Sequence, residues 1–306
     1  MKKFIWIVLI GLVAGGVGCG LTQRQSLPDF SAYDYRDTRR LLTLVHQAAA
    51  LIEVQGEAAF VAFATDTDTW KLDNAYLYVY AEDGVNLFHG GYPELVGRNL
   101  YDFKDLWGKK AMQMIYQETK NPNNPNGWVH YLWNSPGSLH PTWKSSCNLR
   151  VTMPNGQTVV VGSGLDASRP EREFFRILVD DAVRLIESQG ADALPVLKSP
   201  ESRFTVLNSR VFVMAMDGVC LISPGMDMTI TDSLFEYKDF TGHTPLLELK
   251  NRLEGGVDHA TVGMLCSEHA GEHPIKMSIY GRVAHMDGQP VIVGAISELP
   301  RPAWMK

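Results

Sequence analysis

One stretch of this chain occurs twice. A shift of 134 residues lays Val45–Gly56 (VHQAAALIEVQG) on Val179–Gly190 (VDDAVRLIESQG). The same shift matches Asp83-Gly84 with Asp217-Gly218, Leu87 with Leu221, Lys104-Asp105 with Lys238-Asp239, and Gly108 with Gly242. After a two-residue deletion the correspondence resumes, placing Lys144 on Lys276, Ser146 on Ser278, Arg150 on Arg282 and Gly162 on Gly294. Landmarks held in order over so long a span describe one module used twice, and any fold must serve both copies.

The local patterns say what the module contains. From Tyr33 to about Phe63, Leu41, Leu42, Val45, Ala48, Ala49, Leu51 and Ile52 recur on one helical face, with Gly56 as an interruption. Ala75–Ala81 alternates as a strand and turns at Asp83-Gly84 into Val85–Phe88, a hairpin signal. A short helix is expected over Lys109–Thr119, and a last strand over Thr158–Gly164. Glu171–Gln189 is the helix that links the copies and opens the second. The fold class is therefore α+β, two tandem modules that each set a long N-terminal helix against a mostly antiparallel sheet. The expected division is 1–19 leader, 20–32 tether, 33–168 first module, 169–300 second module and 301–306 tail.

Lys2 and Lys3 precede an apolar run from Phe4 to Val17 that ends at Gly18-Cys19. A basic start, a short apolar core and small residues describe a secretory signal, and the run is shorter than the roughly 20 residues of a membrane span. The Gly-Val-Gly-Cys ending resembles a bacterial lipobox, with Gly16 where that pattern usually has an aliphatic residue. It implies lipidation at Cys19 and an extracytoplasmic chain held to a membrane. Net charge is -6 with no run of basic residues, which argues against nucleic acid and anionic membrane surfaces as partners. Cys147, Cys220 and Cys266 then remain, an odd number for a disulfide-permissive compartment. One bridge with one thiol, or three thiols, are both open.

The chemistry concentrates between Gly127 and Val151. Trp128, Tyr131, Trp133 and Trp143 accompany Lys144 around a Pro136-Gly137 turn. Tyr131 and Trp133, two apart, point to one face of a sheet. Aromatic walls with one cation suit a small carboxylate, since the rings exclude water and the ammonium answers the charge. Tyr76, Tyr78 and Tyr80 form a further stripe, with Tyr78 favoured because Phe212 keeps an aromatic in the second copy. Two bland roles stand beside these: the stripe as core, and Lys144, like Lys276, as a structural lysine paired with a sheet-end carboxylate. Opposite Gly127–Trp133 the second copy has no Tyr or Trp, so a ligand site of this form belongs to the first copy alone.

These residues resemble the extracytoplasmic Cache domain family, single-Cache modules with a PAS-like sheet. The resemblance is carried by the Ala-Leu-Ile-Glu-x-Gln-Gly helix end, the Tyr-Leu-Tyr-Val-Tyr strand with its Asp-Gly turn, Pro-Glu-Leu-Val-Gly-Arg-Asn-Leu, Gly-Trp-Val-x-Tyr-x-Trp and Val-Gly-Ser-Gly. It implies a long helix packed on a curved antiparallel sheet, with a small-molecule pocket between the sheet and its overlying loops. Carried over by position, the pocket residues are Tyr78, His89, Trp128, Tyr131, Trp133 and Lys144. The implied ligand is a short organic acid, captured for a separate envelope signalling or transport partner, with no cofactor and no catalysis. The arginine-tryptophan-tyrosine signature that Cache domains use for amino acids is missing. The alternative is a structural or interaction lipoprotein with vestigial pockets. A remoter one, a zinc hydrolase, rests on His269-Ala-Gly-Glu272-His273, with Cys266 and Glu268 near it, a string broken by Gly271 and Pro274.

Overall fold

A computed structural model of the chain describes residues 27–207, 209–224, 233–266 and 274–298. Cys19, the leader, the tail and the His269–His273 string all lie outside the described residues. No described helix is long and apolar enough to cross a membrane.

The first half opens with α1 (Arg36–Gln55), α2 (Ala58–Thr65) and α3 (Thr67–Trp70). A six-stranded sheet follows: β1 (Lys71–Leu72), β2 (Ala75–Ala81), β3 (Asn86–His89), β4 (Val129–Trp133), β5 (Thr142–Thr152) and β6 (Thr158–Asp166), with α4 (Ala111–Glu118) inserted before β4. The second half repeats this with α5 (Arg172–Gln189), α6 (Ala193–Lys198), β7 (Thr205–Val206), β8 (Ser209–Ala215), β9 (Cys220–Ile222), α7 (Pro245–Glu254), β10 (His259–Cys266), β11 (Ile275–Met286) and β12 (Gln289–Glu298). The sheet orders are β1-β2-β6-β5-β4 with β3 on β2, and β10-β11-β12-β8-β7 with β9 on β8. Read from opposite ends, these are one topology, antiparallel throughout. The expected α+β tandem architecture is what the chain adopts.

The repeated residues explain the repeated shape. Gly56 and Gly190 close the two long helices at φ 58° and 59°, a left-handed conformation open to glycine, each donating its N–H to the isoleucine four residues back. Leu41, Leu42, Val45, Ala48 and Ile52 of α1 are fully buried on the sheet strands β5 and β6, and α5 covers β11 and β12 in the same way. Asp105 accepts hydrogen bonds from the N–H groups of Trp107 (2.9 Å), Lys109 (2.8 Å) and Leu132 (2.9 Å). Asp239 accepts from those of Thr241 (2.8 Å), His243 (3.1 Å) and Leu265 (3.0 Å). In each half one carboxylate thus ties the loop before the short helix to the edge strand.

These ties fix the true correspondence of the two halves, and it differs from the expected one. Leu132 faces Trp143 and Leu265 faces Lys276, so Lys276 takes the place of Trp143 and is exposed. Met277, paired with Met264 and Glu298, stands where Lys144 stands between Tyr131 and Asp166. Lys144 therefore has no counterpart lysine. The reason is the hairpin: Thr152 pairs Thr158 in the first half, but His285 pairs Pro290 in the second, one loop residue fewer. A one-residue slip sends every side chain to the opposite face, so the Ser146–Ser278 and Arg150–Arg282 matches fall with it. Gly162 and Gly294 do correspond, lying opposite Tyr78 and Phe212.

The halves are joined through buried polar contacts. Glu171, fully buried before α5, accepts from the N–H groups of Asp34 (2.5 Å) and Tyr35 (3.1 Å) at the start of α1. Arg203 pairs with Glu118 at the end of α4 (2.9 Å) and with Asp181 of α5. Lys109, with no exposed surface, donates from Nζ to the carbonyls of His130 in β4 (2.9 Å) and Thr205 in β7 (2.6 Å). Burial pushes its pKa down to about 8, with Asp105 opposing that shift. Cys147, Cys220 and Cys266 form no disulfide.

Candidate functional site

Strand alternation sorts β2 into two faces. Leu77 and Val79 enter the core beneath α1, while Tyr76, Tyr78 and Tyr80 turn to the α4 side with Ala111, Met112, Ile115 and Tyr131. On that side a small cavity of about 20 Å³ remains, the room of about one water molecule. Its wall includes the three tyrosines, His89, Tyr131, Trp133 and Lys144, with Leu100, Phe103, Ala111 and Met112 closing it from the loop and α4.

Of the six residues expected from the sequence, Tyr78, His89, Tyr131, Trp133 and Lys144 meet at this cavity. Trp128 does not. It lies an odd number of positions from Tyr131, so its ring turns to the opposite face, where Nε1 donates to the Tyr33 hydroxyl (2.7 Å) and the ring packs on Phe174. Tyr76 and Tyr80, expected only as part of the stripe, also line it, and Leu100, Phe103 and α4 are the members missed. The period of β2 already placed the two tyrosines with Tyr78, whereas nothing local marks the loop and helix that fold over them.

Each side chain is held by identifiable contacts. Tyr78 donates to Asn148 Oδ1 (2.7 Å), and Asn148 donates in turn to the Gly127 carbonyl (2.8 Å). Gly162 lies beneath this pair: a Cβ there would come within 2.4 Å of Asn148 Oδ1 and 2.6 Å of the Tyr78 ring. Trp133 donates from Nε1 to the Tyr76 hydroxyl (2.9 Å), stacks toward His89 and meets Phe103 edge-on. It is the half-buried cover of the cavity.

His89 accepts the Tyr92 N–H at Nδ1 (2.9 Å). A ring nitrogen that accepts carries no proton, so the neutral imidazole holds its proton on Nε2. Burial, and secondarily the nearby Lys144 charge, push the His89 pKa down to about 4. At neutral pH His89 is therefore an uncharged donor. Burial likewise raises the phenol pKa values of Tyr76, Tyr78 and Tyr131, which keeps them as O–H groups.

Lys144 is the cation of the wall and is almost wholly buried. Its ammonium lies 4.4 Å from the Tyr76 ring centroid and 2.7 Å from Asp166 Oδ1. Burial lowers its pKa, while Asp166 acts in the opposite direction. Its stem crosses Gly164, where a Cβ would sit 2.9 Å from Cε. The sheet-end carboxylate anticipated for a structural lysine is thus present, and Glu298 stands at the matching end of β12, opposite Met277 rather than a lysine. Such a lining, rich in donors and with one ammonium, can hold an oxyanion. Among the described residues no group of three or more His, Cys, Asp or Glu could hold a metal ion.

The Cache domain family model matches residues 61–260, about two thirds of the chain. The chain belongs to the Cache domain family. Cache domains are extracytoplasmic small-molecule sensor domains. Among solved structures, a periplasmic sensor domain of a chemotaxis protein is 28% identical, covering 42% of this chain and 90% of its own, with a TM-score of 0.34. A Cache chemosensory domain described for carboxylic acid recognition is 22% identical over 43% of this chain and 94% of its own, TM-score 0.35. The ligand-binding domain of the Pseudomonas fluorescens chemoreceptor CtaA, in complex with L-leucine, is 12% identical over 85% of this chain and 86% of its own, TM-score 0.29. No curated protein matches the chain.

Proposed function

We propose that the first half, residues 33–168, is the ligand-binding module of a sensory or solute-capturing Cache lipoprotein, and that its ligand is a short organic acid. The observation that carries this reading is the α4-side cavity, where Lys144, the Nε2–H of His89 and the phenols converge under Trp133. Lys144 answers the carboxylate, and the rings take the short apolar remainder. Room for about one water does not hold even acetate, so binding requires Trp133 and Phe103 to swing outward. The second half, residues 169–300, is a divergent copy that supports the first or docks a partner. Lipidation of Cys19 would hold the chain to a membrane outside the cytoplasm, and a separate envelope protein would carry the signal. The role is binding without catalysis.

A thermal-shift screen of the chain from Gly20 onward against short carboxylates, amino acids and their amides tests this. Binding to the folded state raises Tm by mass action. A shift with carboxylates that Lys144→Ala or Trp133→Ala weakens by tenfold or more in Kd supports the site, and equal affinity in both variants removes it. A second reading, an envelope interaction protein with closed pockets, draws on Phe103, Leu106 and Trp107, large apolar side chains exposed on one loop. On that reading Trp133→Ala lowers Tm and no ligand effect exists to lose.

A further inference from the structure

We infer that Asp166 is an internal competitor for the ligand, a carboxylate that occupies the Lys144 ammonium until an incoming carboxylate takes its place. This rests on the reading of the cavity as an organic-acid site.

Lys144 lines the cavity, whereas its partner Asp166 does not. Asp166 ends β6 at the edge of the site, close enough to Tyr76 and Tyr92 to oppose their ionisation. The ammonium is paired with the strand end, 2.7 Å from Asp166 Oδ1, while it lies 4.4 Å from the ring centroid of the lining Tyr76. The charges do not permit simple addition of a second carboxylate. The remaining lining is uncharged, because His89 is neutral and the tyrosines keep their protons. His89 cannot readily supply a second positive charge, since its Nδ1 already receives the Tyr92 N–H. Two carboxylates on one buried ammonium would leave a net negative charge in a site with little water, which like-charge repulsion and desolvation both oppose.

One carboxylate must then leave, and the two are unequal. Asp166 retains 13% side-chain exposure, against 1% for Lys144, so solvent can take it up at the strand end. A ligand beneath Trp133 has no such outlet. Asp166 is followed by Ala167, which holds a left-handed φ of 50° and donates its N–H to the Trp143 carbonyl (2.8 Å). Four residues on, Glu171 holds the N–H groups of Asp34 and Tyr35 just before α1, and α5 begins. Release of Asp166 therefore acts at the start of the connection between the halves.

Asp166→Asn separates this role from a structural one. Removing the carboxylate leaves Lys144 uncompensated, so the unliganded variant should melt at a lower temperature than wild type. Its affinity for acetate and propionate, measured by calorimetry, should rise by tenfold or more, with binding of neutral acetamide unchanged. A merely structural Asp166 gives the lower Tm with equal or weaker acetate binding, and that result overturns the proposal. Asp166→Ala repeats the test if the amide keeps Lys144 in place. Should neither variant fold, carboxyl-carbon NMR of the wild-type chain decides. The Asp166 resonance should move toward a solvated value on saturation with acetate, and an unmoved resonance overturns the exchange. If wild type binds neither acid, the cavity reading fails and this inference fails with it. Binding that depends on Lys144 but is not strengthened by Asp166→Asn overturns this inference alone.

Discussion

The same sheet face in the two halves holds opposite contents. In the first half Tyr78, Tyr80, Tyr131 and Lys144 surround a cavity, and Asn148 accepts the Tyr78 hydroxyl beside it. At the matching register the second half has Phe212, Met214, Met264, Met277 and Gly281. There Leu249 of α7 leans over Gly281, where a Cβ would meet it at 2.8 Å, and packs into an apolar core with Phe212, Met214 and Met264. What both halves keep is the frame: the glycine helix ends, the carboxylate tie of Asp105 or Asp239, and a glycine under the aromatic of β2 or β8. The frame is the part the fold requires, and the polar lining is the part added to it. A buried hydroxyl, amide or ammonium is costly without partners, and Tyr76, Tyr78, Asn148 and Lys144 each have one.

The largest difference between the halves should appear in acid. Burial first, and positive neighbours second, hold His89 at a pKa of about 4 and His130 at about 3, both in the first half. Above pH 6.5 each is neutral whether folded or unfolded. Below it the unfolded chain takes up protons that the folded chain refuses, so stability falls with pH until those folded pKa values are passed. Each histidine should contribute about 1.4 kcal/mol per pH unit across that window. Chemical denaturation from pH 7 to 4.5 measures the slope, and His89→Gln should reduce it by about one proton. A slope unchanged in His89→Gln contradicts the assignment.

Next in size is the joint. Lys109→Met leaves the His130 and Thr205 carbonyls without their donor and should cost about 3 kcal/mol in urea unfolding. His243→Ala, at the same position in the second half but partly exposed, should cost no more than about 1 kcal/mol. Equal losses would mean that Lys109 does not hold the halves together.

Gly162→Ala and Gly294→Ala sharpen the comparison further. Each forces an aromatic off its glycine, with the Phe212 ring 2.4 Å from a Cβ at Gly294, and each should cost about 1–3 kcal/mol. Only Gly162→Ala should also weaken carboxylate binding, because only it moves Tyr78. The smallest effect belongs to Lys276→Ala, expected within about 0.5 kcal/mol of wild type and without influence on binding. A lost ligand response in Lys276→Ala would restore the equivalence that the strand register removes.

Much of the frame was legible because it rests on short-range rules. The apolar face of α1, the Asp83-Gly84 turn and the 134-residue repeat follow from spacing alone. The partner of Lys144 was not legible by residue, since it depends on the loop length between β5 and β6. A difference of one residue there decided that Met277, and not Lys276, matches Lys144. Trp128 was misplaced for a related reason: its motif suggested a pocket, while its parity with Tyr131 assigned the other face. The cavity roof, Phe103 with Met112 of α4, comes from segments that no local pattern ties to the sheet.

The asymmetry of the two halves is tested most directly by the stoichiometry of acetate or propionate binding in an isothermal titration of the chain. One site per chain, abolished by Lys144→Met and untouched by Met277→Ala, is the result expected. Two equivalent sites, or one that survives Lys144→Met, would contradict a binding site built only in the first half.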